Sequence, residues 1–65
     1  MWVVVHIAKS KNAARKVQAL LNEEGILVKV RGVYKTRSET ENDYELLVLA
    51  AEAREARNIL LEKGI

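Results

Sequence analysis

The sequence contains no cysteine, no proline and no phenylalanine, and only one histidine, one tryptophan and three glycines. Without cysteine there is no disulfide to staple a fold and no thiolate to bind a metal or act as a nucleophile. A single histidine cannot furnish a histidine-rich metal centre. The scarcity of proline and glycine excludes collagen-like, linker-like and low-complexity chains. No apolar run approaches the roughly 20 residues that a membrane span requires. The run from Trp2 to Ala8 has no basic segment before it and meets Lys9 at once, so it lacks the organisation of a secretory signal. The cytoplasm is the expected compartment, with no membrane partner.

What is present is the composition of a folded domain: 65 residues, 49% hydrophobic and 31% charged. A chain of this length supports one core, so residues 1–65 are expected to form a single domain. So small a core supplies only about 3–5 kcal/mol, and association with another chain is a usual supplement where disulfides and metals are lacking. The formal net charge of +2 conceals a polarity along the chain. Residues 1–38 hold eight basic and two acidic side chains, a balance of +6, whereas residues 39–65 hold three basic and seven acidic, a balance of −4. Such asymmetry suits an anion-binding or nucleic-acid-binding half, or complementary faces between subunits.

The hydrophobic pattern divides the chain into five elements. Residues 2–8 are rich in β-branched side chains and too short for a typical helix, which predicts a strand. Strict alternation puts Val3, Val5 and Ile7 on one face and Trp2, Val4 and His6 on the other. Residues 11–24 predict a helix capped by Ser10, with Ala13, Ala14, Val17, Leu20 and Leu21 as its apolar stripe. Gly25 is placed to end it in the left-handed conformation, with Ile26 as the accompanying apolar contact. Residues 26–36 predict a second strand in which Val28 and Val30 alternate with Lys29 and Arg31, and Gly32 marks a candidate bulge. Lys35 to Asp43 is polar and aperiodic, a mobile loop between two strands. Tyr44 to Leu49 predicts a third strand with both faces apolar, hence central. Residues 51–63 predict a second helix with Ala53, Ala56, Ile59 and Leu60 inward; it has no Ser, Thr, Asp or Asn cap, and Gly64-Ile65 repeats the ending of the first.

The order β-α-β-β-α implies a split crossover with the third strand between the first two. The expected fold is α+β: a ferredoxin-like two-layer sandwich, with a three-stranded antiparallel sheet of order 1-3-2 and both helices on one face. In a complete ferredoxin-like sandwich a fourth strand would cover the outer edge of the first. That edge and the helix-free sheet face, with Trp2, Val4, His6, Lys29, Arg31, Leu47 and Leu49, are therefore expected to be open and to draw another chain, making a homo-oligomer.

The opening Val4-Val5-His6-Ile7-Ala8, the helix ending Leu20-Leu21-Asn22-Glu23-Glu24-Gly25-Ile26, the strand Val28-Lys29-Val30-Arg31, the stretch Tyr44 to Val48 and the segment Ala53 to Leu61 together give the chain a family likeness. It resembles the small bacterial proteins classed as signal-transducing, a domain of unknown function related in fold to the PII nitrogen regulators. The resemblance covers nearly the whole chain and implies a regulatory or interaction role. It transfers no ligand residue by residue. Similar members often carry a proline after the third strand and an acidic or hydroxyl helix cap, where this chain has Ala50 and Ala51.

Chemical constellations are sparse. Ser10 and Ser38 are the only serines and His6 the only imidazole, so a serine–histidine pair, even completed on paper by Asp43 or Glu45, lacks a shielded pocket. Glu39, Glu41, Asp43 and Glu45 recur at spacing two but without the central glycine of a calcium loop. No enzyme, cofactor or metal is expected. The start of the first helix is the better candidate: Lys9, Ser10, Lys11, Arg15 and Lys16 gather cations at the positive end of the helix dipole, which costs about 0.3–1 kcal/mol per charge and suits an anionic small molecule. The expectation is thus a self-associating, non-enzymatic regulatory or adaptor domain with an anion-binding helix start and an anionic small molecule or a protein as partner. The alternative is a small nucleic-acid-binding module using the open sheet face, where Trp2 and His6 lie among Lys29 and Arg31.

Overall fold

A computed structural model describes residues 1–34, 38 and 42–65. The chain runs β1 (Trp2–Ala8), α1 (Lys11–Glu23), β2 (Lys29–Gly32), β3 (Tyr44–Leu49), a 3₁₀ turn (Ala50–Glu52) and α2 (Ala53–Glu62). The sheet is three-stranded and antiparallel in the order β1-β3-β2, the ferredoxin-like arrangement. No helix among the described residues is long and apolar enough to cross a membrane.

Local chemistry accounts for the helix limits. Ser10 has extended backbone, and its hydroxyl oxygen accepts a hydrogen bond from the Ala13 N–H at 3.1 Å, closing the first turn of α1. At the other end Gly25 takes φ +83°, the Gly25 N–H donates to the Asn22 carbonyl and the Ile26 N–H donates to the Leu21 carbonyl. These two bonds satisfy carbonyls that the last turn would otherwise leave orphaned, and they fold Ile26 back into the core. α2 ends the same way, with Gly64 at φ +74° and the Ile65 N–H donating to the Leu60 carbonyl. Its start has no side-chain cap; the 3₁₀ turn leads in, and the Ala50 N–H donates to the Met1 carbonyl at 2.8 Å. The uncapped helix therefore begins at Ala53 rather than at residue 51.

The core lies between the sheet and the helices. Ala14, Val17 and Leu21 of α1 and Ala53, Ala56 and Leu60 of α2 meet Ala8, Ile26, Val28, Tyr44, Leu46 and Val48, with Val3, Val5, Ala13, Leu20, Val30 and Ile59 packed around them. α1 packs on all three strands, whereas α2 packs on β1 and β3. Small alanines at the contact positions of both helices let the two-helix layer approach the sheet closely.

Three expectations about β2 and β1 are corrected. β2 is four residues long, not eleven: Ile26, Leu27 and Val28 precede the ladder, and residues 35 and 36 lie outside the described residues. Its register against β3 runs unbroken through Gly32, so there is no bulge there. The irregularity is in β1, between Val4 and His6. One extra residue reverses the alternation, so Val4 pairs with Leu47 but His6 pairs with Leu46 and Ile7 with Glu45. Facing residues share a side of the sheet. His6 thereby joins the helix side, Ile7 the open side, and Ala8 enters the core.

Candidate functional site

The open sheet face consists of three cross-strand rows, set by the register. Trp2 of β1 faces Leu49 of β3. Val4 faces Leu47, which faces Lys29 of β2. Ile7 faces Glu45, which faces Arg31. Of the residues expected on this face, the structure brings together Trp2, Val4, Lys29, Arg31, Leu47 and Leu49. It removes His6 and supplies Ile7, which is 52% exposed.

Two polar interactions organise this face. The Lys29 Nζ lies 4.9 Å from the centroid of the Trp2 ring, within cation–π reach. The two residues come from opposite edges of the sheet, so the contact spans β3 above Leu47. Leu47 is only 6% exposed although, among the described residues, no helix covers it and it stands outside the helix-side core. In the third row the Arg31 Nε and Nη2 both donate to the Glu45 Oε1, at 2.9 and 2.7 Å. The result is a centre made of Trp2, Val4, Leu47 and Leu49, with charged groups toward β2.

The start of α1 is a second candidate. Lys9, Ser10, Arg15 and Lys16 are exposed and Lys11 is half-buried. No acid stands in the first turn. The Asp43 carboxylate stands 4.0 Å from the Lys9 Nζ. Successive helix residues are rotated by about 100°, so Arg15 and Lys16 leave the helix in different directions. Lys11 and Arg15, four residues apart, share one face of the helix, and Lys16 leaves it on another. The Ser10 oxygen is committed to the helix cap. Among the described residues no group of histidine and carboxylate side chains could hold a metal ion. The expected acidic series is only partly described, since Glu39 and Glu41 lie outside the described residues.

Among the described residues, one buried polar side chain carries no signal in the sequence. Asn42 is 7% exposed, accepts the Tyr34 N–H at Oδ1 (2.9 Å) and donates from Nδ2 to the Tyr34 carbonyl (2.7 Å). Its amide pairs with a backbone as a strand residue would, and so ties the two ends of the β2–β3 connection. A Cβ on Gly32 would stand 3.0 Å from Asn42 Nδ2, so glycine makes room for the amide. Nothing in the polar stretch around Asn42 distinguishes it; a glycine ten residues upstream is the only trace. Ile7 carried no signal either, because three consecutive valines look the same in either alternation.

Comparison with protein-family models, with curated proteins and with solved structures finds no match for the chain.

Proposed function

We propose that the protein is a non-enzymatic regulatory or adaptor domain that works by association, two copies pairing through the open sheet face. The observation that carries this reading is the apolar centre of that face, Trp2, Val4, Leu47 and Leu49 with Ile7 beside it, which the protein's own helices leave uncovered. Apolar patches of this kind are commonly interfaces. The family resemblance points the same way, toward a bacterial signalling domain. The basic start of α1 is the place for an anionic small molecule in this reading, with Lys9, Ser10, Lys11, Arg15 and Lys16 around the helix end.

Protein association is favoured over nucleic acid by the state of the basic groups. Lys29 already lies on the Trp2 ring and Arg31 already engages Glu45. A base stacking on Trp2 would have to displace the first, and a phosphate would have to compete with the second. Sedimentation of the whole protein from low to high micromolar concentration tests the reading. The expected result is a concentration-dependent dimer that Val4→Lys abolishes. A strict monomer at high micromolar concentration rejects it. An amide-shift titration with nucleotides and phosphorylated metabolites tests the anion site: shifts at residues 8–16 support it, and their absence across the panel removes it. Salt-sensitive binding of mixed RNA or single-stranded DNA would instead favour the nucleic-acid alternative.

A further inference from the structure

The outer edge of β1 borders a groove that the open face does not include. β1 pairs with β3 alone, and among the described residues no strand lies on its other side. Above that edge stands α2. Ala53, Ala56 and Leu60 turn α2 toward the sheet, and the flank with Ile59 and Glu52 is half-buried, so it is the flank turned to α1. At about 100° per residue, Arg57 and Leu61 fall on the opposite flank, with Arg54 next to them. That flank overhangs the outer edge of β1. Leu61 is 79% exposed there, and Val3, Val5 and His6 of β1 are half-buried below it.

The charge of this groove has one sign. β1 carries no acidic residue, and among the described residues neither Arg54 nor Arg57 forms an ion pair. A row of unpaired backbone groups beside an apolar floor and a cationic wall is complementary to an extended segment with apolar side chains and carboxylates. A second copy of this chain fits poorly. Antiparallel pairing of β1 with its own copy about a two-fold axis at Val5, the register with the longest overlap, would set the two bulges against each other, and such pairing would bring Arg54 and Arg57 toward the same arginines of the other copy.

We propose that the β1 edge and the Arg54–Arg57–Leu61 flank of α2 bind an acidic, apolar segment of a partner protein as an added strand. The segment pairs with the outward backbone groups of β1, places apolar side chains over Val3 and Val5 beneath Leu61, and sets its carboxylates against the two arginines. This deepens the adaptor reading by naming the partner's chemistry, and it does not depend on pairing through the open face.

The test uses the whole protein and two blocked peptides, each of four valines flanked on both sides by two glutamates or by two lysines. The glutamate peptide is expected to shift the amides of residues 3–7 and 54–61 and to slow hydrogen exchange in β1. The lysine peptide is expected to bind roughly tenfold more weakly or not at all, and the double variant Arg54→Glu/Arg57→Glu to reverse that preference. These exposed positions leave the core untouched, and matching amide spectra confirm that the variant is folded. The Val4→Lys variant should bind the glutamate peptide as the parent does, so loss of self-association and loss of strand binding are read separately. The proposal is overturned if neither peptide shifts residues 3–7, if the shifts fall on residues 2, 47 and 49, or if charge reversal leaves the preference unchanged. It is equally overturned if the β1 amides of the peptide-free protein gain exchange protection as its concentration rises, which would give the edge to a second copy.

Discussion

The effect of substituting Gly32 by alanine should depend on the identity of residue 42, being more favourable once Asn42 is gone. In the native protein the new methyl group would meet Asn42 Nδ2 at 3.0 Å, while its next neighbour beyond that amide, Tyr44 Cε1, stands at an ordinary 3.8 Å. The amide must retreat, and the 2.7 Å bond from Nδ2 to the Tyr34 carbonyl is the contact it loses. One such bond is worth about 0.5–1.5 kcal/mol net. Against this stands the gain from replacing a glycine within a strand, roughly 0.5–1 kcal/mol. Gly32→Ala alone should therefore fall between about 0.5 kcal/mol stabilising and about 1 kcal/mol destabilising. Asn42→Ala alone removes the two hydrogen bonds that the amide makes to the Tyr34 backbone and should cost about 1–3 kcal/mol, nearer the lower end because Tyr34 is exposed to water. With Asn42 already alanine, the obstacle is gone, and Gly32→Ala should stabilise by about 0.5–1 kcal/mol. Urea denaturation of the four proteins, with unchanged slopes, measures the cycle. Additivity within about 0.3 kcal/mol would mean that glycine is not there to admit the amide, and the account of this pair would be wrong.

Three further outcomes follow from the same geometry. Gly25→Ala forces a side chain into the left-handed conformation at φ +83° and should cost about 1–2 kcal/mol, visible as a lower midpoint in the same denaturation assay. Ser10→Ala removes the acceptor of the Ala13 N–H and should cost about 1 kcal/mol, whereas Ser10→Asp, which also suits the helix dipole, should hold stability level. The Arg31–Glu45 pair is short but Arg31 is 63% exposed, so Arg31→Ala should cost less than about 1 kcal/mol, with a loss that shrinks further in high salt; a larger value measured by thermal denaturation would contradict the screening argument.

Much of the fold was legible from local patterns. The apolar stripe of α1, the serine that starts it and the Gly-Ile endings of both helices are each decided by residues within a few positions of one another. The strand order followed from the β-α-β-β-α sequence of elements, because a crossover between parallel strands has one preferred hand and a hairpin then fills the gap. The basic run of Lys9, Lys11, Arg15 and Lys16, opposed to the dipole of α1, was visible in the sequence.

Register and burial across elements were decided only in three dimensions. Trp2 through Ala8 offers apolar residues in both alternations, so nothing local fixed the bulge; pairing with β3 did, by bringing Ala8 opposite Tyr44 in the core and turning Ile7 outward in place of His6. The burial of Leu47 likewise depends on a ring from β1 and an ammonium from β2 meeting above β3. Asn42 takes its backbone-like role only because Tyr34 and Gly32 lie beside it across the connection. Helical periodicity and capping are properties of neighbours in the chain, whereas a side chain's face and partners depend on which strand lies next to it.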